Sequence, residues 1–373
     1  MRVIIAGGGI GGLTLAHGLA RSGAEVRVVE AARRQDRLGT GITLLENALR
    51  ALDRIGLADP IVAAGSGWSV VSTRDAAGTV LHDQALPKAY KPGAPPAVGI
   101  MRTHLGELLE EHARASGASI AFETTIERVE QRDGAVSVAL SDGDSGTYDL
   151  LVAADGAYSR TRTQLFGDDR RPVYSGQGVW RYTIPRPADV NGLTLHRTSD
   201  GEVVGALPLS EDDCYLFYLE NTAEHVHMPP ERLGELLRDR LAPFSAPMIR
   251  DAVEGMDASR HISFRPIDHV LLPAPWHQGR VVLLGDAAHA LTPQLTSGGG
   301  MAIEDAVVLC EELDAHEDVE AALEAYGTRR AERVRPIYEH SLAICKAEQD
   351  PAIPDEQTVG IMMNGYALLA QPF

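Results

Sequence analysis

The chain has 373 residues, 44% of them hydrophobic and 23% charged, enough for a large buried core and about two domains. Its 34 basic against 52 acidic side chains leave a formal charge of −18, which argues against a nucleic-acid partner, because phosphate binding needs clustered Lys and Arg. Three lysines (Lys88, Lys91, Lys346) and three cysteines (Cys214, Cys310, Cys345) occur, the latter without metal spacing, so they read as reduced thiols of a cytoplasmic protein with no metal. The N-terminus breaks into glycine after "MRVIIA", too soon for a secretory signal or a membrane span.

The first thirty residues run strand, glycine turn, helix, strand. Arg2–Ala6 is apolar and β-branched, as a strand covered on both faces should be. Gly7, Gly9 and Gly12 then supply G-x-G-x-x-G, with Gly11 beside them, at the start of a helix whose apolar side carries Ile10, Leu13, Ala16 and Leu19. A second strand, Glu25–Glu30, ends in an acid 18 residues beyond Gly12. Gly7 permits the tight turn, Gly9 lets main chain approach a pyrophosphate, and Gly12 brings helix and strand close. The helix N-terminus offers amide donors to phosphate, and Glu30 can accept from ribose hydroxyls. This predicts a dinucleotide site without separating NAD from FAD.

Further along, the short strand "AVGIM" is followed by Arg102 at a helix start. Buried strands end at Asp155-Gly156, with Ser159 and Arg162 following at D-G-x-x-S-x-x-R spacing, and at Gly285-Asp286. Strand carboxyl ends are where open α/β sheets hold ligands, so three of them are expected to meet at one site. Between about 172 and 275 short alternating segments separated by Gly, Pro, Asn and Asp predict an antiparallel sheet. It carries the polar candidates Arg181, His196, Tyr215 and Tyr218; alternation puts Tyr215 and Phe217 on one face and Leu216 and Tyr218 on the other. His225 and His227 have the spacing of a metal pair but no third ligand nearby in sequence. The run Gly298–Gly300 precedes a helix expected over Met301–Leu313, and a helical pattern resumes from Ala321 to about Lys346. No second G-x-G-x-x-G unit occurs.

GGGIGGL, Arg102 in "GIMRTHLGELL", the DG motif at 155–162 and the GD motif at 285–286 with "AIEDAVVL" downstream resemble, over nearly the whole chain, the single-component flavoprotein aromatic hydroxylases of the para-hydroxybenzoate hydroxylase fold. That resemblance implies an α/β fold: an FAD-binding, Rossmann-like domain of glutathione-reductase type, interleaved with a mainly antiparallel substrate domain and followed by C-terminal helices. The FAD-binding domain is expected to comprise 1–71, 99–171 and 276–345, the substrate domain 72–98 and 172–275, with 346–373 a tail at their interface. It further implies that Asp286 hydrogen-bonds the ribitol, and that Pro293 and Gly298, Gly299 and Gly300 lie beside the isoalloxazine. Gly285, the other member of the GD pair, is expected among the cofactor contacts, Gly41 passes near the flavin in Gly39-Thr40-Gly41, and Arg102, Asp155 and Arg162 brace the cofactor. His289, within "DAAH", is expected to be structural. One departure is that many relatives read G-Q-G where this chain has Ser297-Gly298-Gly299. Arg33, Arg34 and Arg37 read as a solvated loop.

The implied activity is FAD-dependent monooxygenation: NAD(P)H and O2 hydroxylate a small electron-rich aromatic or heteroaromatic through a flavin hydroperoxide. The enzyme is expected as a monomer or homodimer, with NADH or NADPH visiting transiently. Rivals are a flavin-dependent halogenase, which needs a tunnel lysine and shares part of "WRYTIP", a flavin- or aromatic-binding protein without turnover, and an N-hydroxylating or epoxidising relative.

Overall fold

The computed structural model describes residues 1–34, 40–86, 90–167, 170–199, 201–256 and 261–373. In chain order the elements that build the site are β1 (Arg2–Ala6), α1 (Ile10–Arg21), β2 (Glu25–Glu30), β3 (Leu150–Ala153), β4 (Val173–Pro185), β5 (Asp213–Asn221), β6 (Val281–Leu283), α2 (Gly298–Ala315), α3 (Val319–Ala347) and α4 (Asp355–Leu369).

A six-stranded sheet forms the nucleotide half. β1 lies at its centre between β2 and β3, with β6 beyond β3 and Ser119–Phe122 beyond β2, all parallel; His277–Gln278 adds an antiparallel edge. The parallel strands are apolar throughout because both faces are covered: Val3, Ile5, Val28 and Val152 pack with α1 and α2, whereas Ile4, Val29 and Leu151 face a layer built on a small three-stranded sheet. The carboxyl ends of β1, β3 and β6 stand side by side, Ala6 opposite Ala153 and Ala153 opposite Leu283.

The second half is an eight-stranded sheet with β4 and β5 antiparallel at its centre. The 172–275 region also contains two helices absent from the sequence reading, Leu233–Leu241 and Pro247–Glu254. They cover the far face of the sheet, burying Trp180, Tyr182, Leu216 and Tyr218 in a core of their own. Two further strands, Val70–Asp75 and Val80–Ala85, extend the other edge, the first in parallel register with Leu193–Arg197. The near face turns toward the carboxyl ends of the nucleotide sheet.

The C-terminal tail forms a helix, α4, that packs on α3 and against the turn at Pro293–Leu295. No helix among the described residues is long and apolar enough to cross a membrane.

Candidate functional site

The turn after β1 is closed by geometry only glycine meets. Gly7 has φ +111°, and a Cβ there would lie 2.2 Å from the Ala154 carbonyl oxygen; a Cβ on Gly12 would lie 2.1 Å from the Gly7 oxygen. At Gly9 a Cβ would meet nothing within 4 Å, so this residue keeps open space open. Gly11 instead serves packing, its Cβ position being 2.6 Å from Leu284 and 3.2 Å from Ala302.

Two cavities flank that turn and share Gly9, Ala154 and Gly156. One, of about 420 Å³, runs past Gly7, Glu30, Thr124, Asp155, Tyr158 and Thr161. The Glu30 carboxylate accepts from the Gly8 and Ala32 amides at 2.7 and 2.8 Å, which fixes it at the cavity wall. Asp155 Oδ2 accepts from the Thr161 amide and hydroxyl at 3.2 and 3.1 Å, whereas its Oδ1 is buried without a partner among the described residues.

The other cavity, about 360 Å³, lies between the two halves of the molecule and is bordered by Gly41, Arg102, Arg181, Asp286, Pro293 and Gly298, among others. Asp286 is exposed to this cavity although protein surrounds it; its depth pushes the carboxyl pKa up, and the charges of His289 and Arg102 oppose that rise. Arg102 caps no strand but opens a helix at the rim, its amide bonded to the Thr40 oxygen at 3.0 Å. Gly41 admits the sheet: a Cβ there would be 2.8 Å from Tyr215 Cβ.

The glycine run differs from the expected loop. α2 begins at Gly298, so all three glycines form its first turn rather than a stretch before it. Gly298 faces open space, Gly299 packs on Ile42, and Gly300 packs on Ala48 and Asn47, away from the cavity. First-turn amides have no partner within their own helix and point out of its N-terminus, where the helix dipole also favours negative charge.

On the substrate sheet alternation decides the wall. Arg181 pairs with Phe217 and Thr183 with Tyr215, so Arg181, Tyr215 and Phe217 share the near face and line the cavity with Leu193 and Leu207. Arg181 Nε donates to Tyr215 Oη at 3.0 Å, and its other N–H groups have no partner among the described residues. Tyr218 and His196 face the other way. Tyr218 donates to Glu202 at 2.9 Å within the second core, and burial pushes its pKa well up. His196 is buried with Nδ1 3.3 Å from the Asp75 oxygen, and burial lowers its pKa.

Arg162 lines neither cavity. It is buried and donates to the Ala287 and Ala157 carbonyls at 3.0 and 2.5 Å, tying the DG loop to the GD turn. His225 and His227 have ring centroids 5.3 Å apart on an exposed segment, His225 Nε2 lying 3.0 Å from Asp268. Arg33 and Arg34 pair with Glu123 and Glu110 at 3.0 and 3.3 Å. Arg37, Gly39 and Lys88 lie outside the described residues.

The sequence reading missed the buried ionic cluster beneath this site. Asp305 accepts from the Gly285 amide (2.8 Å), His289 Nε2 (2.6 Å) and Arg330 Nε (2.6 Å). Glu304 accepts from Arg330 (2.6 Å), Asn47 (2.8 Å) and Arg333 (3.1 Å), and Arg333 also holds the last carbonyls of α4. Burial alone would raise the Asp305 pKa; the charges of His289 and Arg330 overcome that and hold it at about 2. Two acids inside the apolar run "AIEDAVVL" were the available signal, since buried carboxylates require partners.

A bare-backbone turn at one end, a carboxylate at the other and paired strand ends between them define a dinucleotide-binding flavoprotein site. The family model of the FAD binding domain matches residues 1–341, and the chain belongs to that family. It is 34% identical over 348 residues to aurachin C monooxygenase/isomerase of Stigmatella aurantiaca (92% of this chain, 88% of that protein). It is 31% identical over 353 residues to 3-amino-4-hydroxybenzoate 2-monooxygenase PtmB3 of Streptomyces platensis (91% and 86%). Klebsiella pneumoniae HpxO, solved with FAD and uric acid, superposes with a TM-score of 0.84 at 26% identity, covering 100% of this chain and 93% of that one. The chain is thus an FAD-dependent monooxygenase, an oxidoreductase of a family in which NAD(P)H is the typical reductant. These relatives, monooxygenases by name, do not favour the halogenase rival; Lys91 pairs on the surface with Asp53 and Asp59 at 2.9 and 2.6 Å, and no lysine among the described residues lines the cavity.

Proposed function

We propose that this monooxygenase hydroxylates a small planar aromatic or heteroaromatic that carries an acidic or oxo substituent, read by Arg181 and Tyr215. The observation that supports this most is the pairing of those two residues on an otherwise apolar wall. Because Arg181 donates to Tyr215 Oη, the tyrosyl proton is free to be donated to a substrate oxygen, and the unpaired guanidinium N–H groups await an anion. Phe217, Leu193 and Leu207 offer ring-sized apolar contact and keep water from the reacting face.

The residues present fit FAD. Gly9 and the first amides of α1 would hold the pyrophosphate, and Glu30 and the unpartnered Asp155 Oδ1 would take hydroxyls at the adenosine end. Asp286 and Arg102 would border the ribitol, with Pro293 and Gly298 against the ring. Arg162 and His289 support those contacts from behind. Bound FAD supplies hydride acceptance and oxygen activation, and the protein supplies orientation, electrostatics and dryness.

The same reading keeps the domain division 1–71, 99–171 and 276–345 against 72–98 and 172–275, with 346–373 at their interface. It also makes the enzyme cytoplasmic, a reading supported by the three buried free thiols, and a monomer or homodimer. The test is NAD(P)H oxidation under ¹⁸O2 with phenols, aminobenzoates and hydroxypyridines. An acidic aromatic that accelerates oxidation and gains one labelled oxygen is expected. Bound FAD with no substrate-stimulated oxidation would instead favour a binding protein without turnover.

A further inference from the structure

At the mouth of α2 two adjacent residues break ordinary rules. Thr296 has φ +49°, a left-handed backbone that a β-branched residue rarely takes. Ser297 stands at the N-cap position, yet its side chain caps nothing: its own φ and ψ are near-helical, and its hydroxyl accepts from no first-turn amide. The residue is 1% exposed and lines the cavity between the two halves, and its Oγ has no hydrogen-bond partner among the described residues.

A buried hydroxyl without a partner costs about 1–3 kcal/mol, and a left-handed non-glycine residue costs a similar amount. The surrounding structure holds both in place. Leu295 is wedged against Gly365 of α4, where an added Cβ would lie 2.7 Å from the leucine side chain. Thr292, at the start of the same turn, is fixed to Ser341 of α3 by two hydrogen bonds, at 2.9 and 2.7 Å. Backbone strain and an orphan donor on consecutive residues of a clamped turn are the signature of a group kept for a ligand.

We propose that Ser297 is a flavin-positioning residue: one rotation about its Cα–Cβ bond turns Oγ into the cavity, where it donates to an acceptor atom on the pyrimidine half of the FAD ring. The inference rests on the ring lying against Gly298, but not on any particular substrate. The hydroxyl reinforces what the amides of Gly298 and Gly299 offer at the same helix end. Its bond strengthens as that half of the ring gains negative charge, so it favours the reduced cofactor.

The test is the two-electron midpoint potential of FAD-loaded protein, measured against a reference dye without aromatic substrate. For Ser297→Ala the reduced-to-oxidised ratio should fall about tenfold, equivalent to about 30 mV, with shifted visible bands. Ser297→Thr retains a hydroxyl and should stay near the parent value. Melting of the apoproteins separates this role from simple capping: removing an orphan hydroxyl should leave the alanine variant's Tm unchanged or higher. An alanine variant with the parent potential and spectrum would overturn the proposal. A lowered apoprotein Tm with unchanged potential would do so too, and would make Ser297 a helix cap. Because no turnover is involved, a failed search for a substrate leaves this measurement intact.

Discussion

The two walls of the central cavity are made of different material. On the nucleotide side the surface is main chain, at Gly9, Gly285 and Gly298, held by packing distances at Gly7 and Gly12 that exclude even a methyl group. On the sheet side the surface is side chain, at Arg181, Tyr215 and Phe217, projecting from alternate strand positions. Main-chain surfaces are specified by spacing and tolerate little change. Side-chain surfaces can be exchanged without disturbing the strands that carry them, so one scaffold can serve many aromatic substrates.

Breaking the support of the nucleotide side should have the largest effect. Arg330→Met would leave Asp305 and Glu304 buried without their shared cation, at a cost of about 3–5 kcal/mol, read from urea unfolding. FAD retention should fall with it, because Asp305 also holds the Gly285 amide. Gly12→Ala comes next. A methyl group 2.1 Å from the Gly7 oxygen must push α1 from β1, costing about 1–3 kcal/mol and weakening FAD binding in a fluorescence titration.

The sheet side should behave in the opposite way. Arg181→Met is expected to lower kcat/KM for acidic aromatics about 100-fold, and Tyr215→Phe about tenfold, with FAD affinity unchanged for both. If either variant lost FAD, the division between the walls would fail. The smallest effect is in acid. Asp305 is held at about 2, below the ordinary carboxylate range, so its stabilisation is complete above about pH 4 and is lost as pH falls toward 2. The stability gap between the parent and Asp305→Asn should therefore narrow from pH 5 to pH 3 in urea midpoints.

The same contrast explains what the sequence disclosed. Gly7, Gly9, Gly12, Asp155 and Asp286 were legible because strand, turn and helix within a few residues fix them. The facing of Tyr215 against Tyr218 followed from alternation alone. Which of the four polar candidates met the cavity depended on which face the helices at 233–241 and 247–254 would cover, and those helices lie in a region that reads as strands and turns. The Asp305–Arg330 pairing joins residues 25 apart on two helices, and nothing in either local pattern names its partner. α2 starts three residues ahead of the Met301 that its sequence suggests, since glycine is a poor helix former; here the open N-terminus and packing on Ile42 and Ala48 override propensity.

The most direct test is a crystal structure of the FAD-loaded protein. The expected density runs continuously through both cavities, with the adenosine beside Glu30 and Asp155, the pyrophosphate at Gly9, and the tricyclic ring between Gly298 and the Arg181–Tyr215 wall. A cofactor lying in reverse, or bound outside the junction at Gly9, Ala154 and Gly156, would contradict the account.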